Sequence, residues 1–95
     1  MRFRESKTLE LKKSTAELKE AVISFAAILN KHPKGKLYFG VRKDGEVVGQ
    51  MVSDQTVRDV SKALSEGIEP RVFPKVQKLR IQGKDCIKEI GRAHV

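Results

Sequence analysis

Between Arg71 and Lys84 the chain carries five cations, Arg71, Lys75, Lys78, Arg80 and Lys84, and no acid. Lys31, Lys34 and Lys36 form a second basic group earlier in the chain. Ammonium and guanidinium groups strung along a short segment neutralise phosphates, and each neutralised phosphate releases condensed counterions. The charge is unevenly placed: residues 1–13 carry net +3, residues 31–36 net +3, and residues 42–69 net −2. The chemistry open to these side chains is contact with a polyanion, so the expected partner is nucleic acid. Aromatic residues are few and no recognition-helix motif is present, which favours contacts to the backbone over readout of bases.

The other chemistry-bearing residues carry less. Gly35 and Gly40 have the spacing of half a phosphate-binding loop, but Val41-Arg42 stands where Lys-Ser/Thr is required, and the segment reads as a strand. His32 lies in a basic loop with no Cys, His or acid at ligand spacing and reads as a surface residue. Cys86 falls on an expected strand with no adjacent His to activate it, so it reads as a small core hydrophobe. As the single cysteine it excludes an internal disulfide and a multi-cysteine zinc site. Tyr38 and Phe39 alternate on one strand; an exposed ring could stack a base, although core packing of both is the preferred reading.

These residues need a scaffold, and 95 residues allow one small domain. With 39% hydrophobic and 34% charged residues the chain can build one compact core and is too apolar for a disordered tail. Its longest apolar run, Ala21 to Leu29, is interrupted by Ser24 and is far shorter than a membrane span. No hydrophobic stretch follows the charged N-terminus, so no signal peptide is read there. The expectation is a cytoplasmic module with no membrane partner and an open oligomeric state.

Alternation over Thr8 to Lys12 predicts a strand. Ser14 and Glu17 have capping-box spacing, and Leu18, Val22, Phe25, Ala26 and Leu29 then share one face of a helix over residues 15–30. Lys36 to Val41 reads as a buried strand, Asp44-Gly45 as a hairpin turn, and Glu46 to Met51 as the returning strand. Ser53 or Asp54 caps a second helix with Val57, Val60 and Leu64 inward, closed by Gly67 as a left-handed cap before Pro70. Val72 to Ile81, which contains Pro74, reads as an edge strand, and Cys86 to Ile90 as a last short one. The fold class expected is α+β, two helices on a small mixed sheet, in the order β-α-β-β-α-β-β.

Residues 89–95, Glu-Ile-Gly-Arg-Ala-His-Val, are the in-frame translation of GAGATCGGAAGAGCACACGTC, a widely used sequencing-adapter end. The expectation is therefore a single domain over residues 1–88, incomplete at its C-terminus, followed by a non-native tail over 89–95. That tail is expected to pack against nothing, and Arg92 and His94 are given no role.

The segment Glu5-Ser6-Lys7-Thr8-Leu9-Glu10-Leu11-Lys12 resembles the E-S-x-x-x-E-x-K opening of the Schlafen-type AlbA_2 domain, also called the divergent AAA-4 domain. Phe25 to Asn30 is similar to its A-F-x-N helix end. Gly35 to Val41 is similar to its G-G-x-L-x-I-G-V strand, and Asp44 to Gly49 to its D-G-x-V-x-G hairpin. The four pieces occur in the family's order over roughly residues 4–80. Two features depart from the pattern: a longer basic loop, Lys31 to Gly35, replaces the paired glycines, and Arg42 and Lys43 stand where acids are common.

The resemblance implies a nucleic-acid-binding module, in a parent protein the N-terminal part of a transcriptional regulator with a following domain as a further partner. Its contacts would be Lys31, Lys34 and Lys36 as one cluster and Arg71, Lys75, Lys78 and Arg80 as another, with no cofactor. Resemblance to animal Schlafen proteins implies an alternative, a ribonuclease in which Glu5, Glu10 and Asp44 hold Mg²⁺ or Mn²⁺. Glu5 and Glu10 would need a bend or bulge to converge, because residues five apart on a straight strand face opposite sides. A further alternative is a structural module whose basic edge strand docks another protein.

Overall fold

The computed structural model describes residues 3–68 and 75–92. Four strands, β1 (Leu9–Lys12), β2 (Lys34–Phe39), β3 (Lys75–Ile81) and β4 (Lys84–Arg92), form one sheet in the order β1-β2-β4-β3. β1 and β2 are parallel, and β4 is antiparallel to both β2 and β3. Helices α1 (Leu18–Lys31) and α2 (Asp54–Gly67) cover one face, as the α+β reading expects.

Side-chain alternation along the strands divides the molecule into two cores. On the helix side Leu37, Phe39 and Ile87 meet Phe25 and Leu29 of α1 and Val60 and Leu64 of α2. On the other side Leu11, Tyr38 and Cys86 pack under Val41 and Val47 of the 41–47 hairpin. Both neighbouring rings are thus buried: Phe39 faces the helices, while Tyr38 lies beneath Phe3, ring centroids 4.8 Å apart.

Local chemistry explains where the elements begin and end. Residues Thr15–Glu17 form a 3-10 turn ahead of α1, so the expected capping box is not made. Ser14 Oγ accepts from the Ala16 N–H, and the Glu17 carboxylate accepts from the Lys13 N–H instead. The reciprocal box occurs at α2, between Ser53 and Thr56. Gly67 is the last residue of α2 and is not left-handed; its missing side chain makes room for Val22, whose Cγ1 would lie 2.6 Å from a Cβ there.

The returning strand expected over 46–51 forms only one bridge, Val47 to Val41. Gly40 O accepts from both the Val48 and Gly49 N–H groups, and Gly49, at φ +73, turns the chain out of the ladder. Gln50 then fastens the segment elsewhere: its N–H donates to Asp85 O, and its side chain exchanges two hydrogen bonds with Thr15.

Gly40 itself has φ +99, and a Cβ there would meet Cys86 Sγ at 2.9 Å and Gly49 Cα at 3.3 Å. Gly40→Ala is therefore expected to cost about 1–3 kcal/mol, from backbone strain and overpacking. A denaturant melt with unchanged m-value would measure it; a loss below about 0.5 kcal/mol would show that the turn relaxes freely.

The expectation that the tail packs against nothing is overturned at residues 89–92. β4 runs to Arg92 and is an inner strand, with Glu89, Ile90, Gly91 and Arg92 opposite Leu37, Lys36, Gly35 and Lys34. The physical reason is its position: a strand between two neighbours has both backbone edges to satisfy, and these residues satisfy them. One side chain in this segment fits poorly. Glu89 is fully buried between Leu37 and Val76, and neither carboxylate oxygen has a hydrogen-bond partner among the described residues. Desolvation pushes its pKa up to about 8; the Lys75 backbone N–H is near enough to lower it slightly but does not meet hydrogen-bond geometry, so burial decides.

Candidate nucleic-acid interface

The sheet face away from the helices is covered at one end by the 41–47 hairpin and Phe3. Its other end is open and basic. Lys34, Lys36 and Tyr38 share this face on β2, Lys88, Ile90 and Arg92 on β4, and Lys75 on β3. Lys34 lies opposite Arg92, Lys36 opposite Ile90, and Ile90 opposite Lys75. Lys36 and Lys75 therefore stand two strand spacings, about 10 Å, apart across the sheet. Lys34, Lys36, Lys75 and Arg92 are exposed, Lys88 lies over the Tyr38 ring at 5.8 Å, and no acid occupies this part of the face among the described residues.

Register regroups the expected contact residues. Lys34 and Lys36 of the first cluster join Lys75 of the second on one surface. Lys78 and Arg80 point to the other side of β3, opposite Ile87 and Asp85. There both pair with Asp85, at 3.6 and 3.8 Å, and Arg80 also donates to Gly83 O. Lys31 ends α1 and is exposed near Lys7, beyond the sheet margin. Arg71 lies outside the described residues. Lys88 was not anticipated, because its place on this face depends on β4 pairing with β2, which spacing in the chain does not show; Arg92, as part of the expected tail, is given no role by the sequence.

The three carboxylates of the ribonuclease alternative each hold a separate structural partner. Glu5 Oε2 accepts from the Leu11 N–H at 3.1 Å, closing part of the free edge of β1. Glu10 lies 3.3 Å from the nearly buried Lys12 ammonium, and Asp44 Oδ1 accepts from the Glu46 N–H inside the hairpin turn. Among the described residues no three His, Cys, Asp or Glu side chains could hold one metal ion, so these residues do not fit the divalent site. The buried Cys86 thiol is pushed up by desolvation and by Asp85, with Lys84 opposing, which keeps it protonated and unreactive. Among the described residues no helix is long and apolar enough to cross a membrane.

No curated protein matches the chain. The solved N-terminal domain of an ATP-dependent DNA helicase RecG-related protein from Nitrosomonas europaea is similar in fold, with TM-score 0.67 and 19% identity over 98% of this chain and 67% of that one. The Schlafen, AlbA_2 family model matches residues 5–95, nearly the whole chain and β4 to its end. With β1, the α1 end, β2 and the hairpin carrying the family's motifs in order, the chain belongs to the Schlafen AlbA_2 family.

Proposed function

We propose that this chain is a nucleic-acid-binding module whose open sheet face tracks a phosphate backbone. The observation that carries the reading is the convergence of Lys34, Lys36, Lys75, Lys88 and Arg92 on one surface that holds no acid among the described residues. Each ammonium or guanidinium can donate charge-assisted hydrogen bonds to phosphate oxygens, and release of counterions supplies the driving force. Family membership and the RecG-related neighbour, described in terms of a DNA helicase, support a role with nucleic acid. Within the proposal the module forms the N-terminal part of a regulator of transcription and binds without a metal.

Fluorescence anisotropy over a salt series tests it. Binding at ~50 mM salt should weaken with a log–log slope between about −3 and −5, and EDTA should not alter it. Lys36→Gln with Lys75→Gln should reduce the slope by about 2 on every sequence. Lys78→Gln with Arg80→Gln, on the other side of β3, should leave it nearly unchanged. Affinity indifferent to salt, or equal losses from the two pairs, would defeat the assignment of this face. Metal-dependent cutting of folded RNA that Glu10→Gln abolishes would replace the reading by a ribonuclease.

A further inference from the structure

The turn at Ser6 to Thr8 and the last turn of α1 enclose a groove of about 420 Å³, lined by Lys7, Ala27, Ile28, Lys31 and His32. Its floor is aliphatic and its rim cationic, with no acid among the lining residues. The floor is held rigidly. Ile28 lies on the backbone of β2, where a Cβ at Gly35 would come 2.6 Å from its Cγ2. The two walls are tied to the sheet and to α1: the Lys36 N–H donates to Thr8 O at 2.8 Å, and the His32 N–H to Ile28 O at 2.9 Å. Gly35 turns toward Ile28 while its neighbours Lys34 and Lys36 turn to the other face, so the groove lies at the start of β2 on the helix side, across the sheet from the basic face.

We propose that this groove takes one unpaired nucleotide at the end of a bound strand. Its base lies on the Ala27–Ile28 floor, and its phosphate lies between Lys7, Lys31 and the His32 ring. The inference rests on the nucleic-acid reading above and specifies which part of the substrate the module distinguishes. The volume falls within the roughly 300–1,000 Å³ of sites for small organic ligands, which suits one nucleotide. A purely apolar ligand would leave the cationic rim unused, and a bare phosphate would leave the floor bare. A nucleotide uses both. A base already unpaired reaches the groove at little cost, whereas a paired one must first be unstacked.

Two duplexes with the same stem test this, one blunt and one ending in a two-nucleotide overhang whose last base is 2-aminopurine; 5′ and 3′ overhangs are both used. The overhang should bind about fivefold more tightly, the low end of what contact with one base contributes. Its fluorescence should change on binding. Ala27 is exposed on α1, so Ala27→Glu blocks the floor without entering the core, and unchanged circular dichroism verifies the fold. That variant should bind both duplexes equally, with the 2-aminopurine signal lost. Equal affinities for the original protein, or a preference that survives Ala27→Glu, overturns the groove assignment while leaving salt-dependent binding to the face intact. Absence of salt-dependent binding to either duplex overturns both readings.

Discussion

Glu89→Val is expected to raise the thermal midpoint by more than about 10 °C at pH 7 and to flatten the dependence of stability on pH. The carboxyl is fully buried, its oxygens have no hydrogen-bond partner among the described residues, and its pKa moves from 4.5 to about 8 on folding. Between those values the folded state holds a proton that the unfolded state has released, so stability falls as pH rises. The contribution is complete below pH 4.5, is about 3 kcal/mol smaller at pH 7, and is about 5 kcal/mol smaller above pH 8. Such a loss is a large share of the roughly 5–15 kcal/mol that stabilises a small domain. Valine removes the titration and suits a strand between Leu37 and Val76. Glu89→Gln removes the titration but leaves an unsatisfied amide, so it should gain less. Melts of the original chain that are flat between pH 5 and 8 would show that Glu89 finds a partner in solution.

Deleting residues 89–95 should abolish the cooperative melt altogether. The deletion removes the half of β4 that lies opposite Lys34 to Leu37 on one side and Lys75 and Val76 on the other. It would leave backbone groups of two strands unpaired and uncover Phe25, against whose ring Gly91 is so closely packed that a Cβ there would lie 2.5 Å away. Thermal denaturation followed by circular dichroism reads the outcome directly, and a retained sharp transition would show that the sheet closes without this segment. Taken with Glu89→Val, the deletion separates the need for a strand at 89–92 from the suitability of these particular side chains.

The helices were legible because their information is local. Leu18, Val22, Phe25 and Leu29 recur at helical spacing, and Ser53 stands immediately before a second apolar stripe, so propensity, cap and periodicity agree. What failed was also local but depended on partners far away. Ser14 and Glu17 have capping-box spacing, yet the Thr15 N–H is taken by Gln50 Oε1 and the 3-10 turn sends the Glu17 carboxylate to the Lys13 N–H. Glu46 to Met51 alternates like a strand, yet Gly40 O draws in two successive amides and Gln50 is taken by Thr15 and Asp85. The basic residues were visible as charge but not as a surface. Lys75 and Lys78 are close in the chain and on opposite faces, while Lys36 and Lys75 are distant in the chain and share one. Only the pairing of β4 with both neighbours brings them together.

The strand order has a consequence for how the chain acquires its structure. β4 is the last of the four strands to be synthesised, yet it lies inside the sheet. β1, α1 and β2 can associate while the chain is still growing, since chains lengthen at only about 5–20 residues per second. Leu37 and Phe39 then await the strand that completes their surroundings. The β3–β4 hairpin, closed by the short Gln82-Gly83 turn, is expected to form by itself and to join the waiting half as a unit. Docking brings together segments about fifty residues apart, the kind of distant pairing that slows folding. During that interval the inner edge of β2 is the part of the molecule most open to the wrong partner, and chaperone capture of nascent chains should therefore peak after β2 emerges and fall once Arg92 is free.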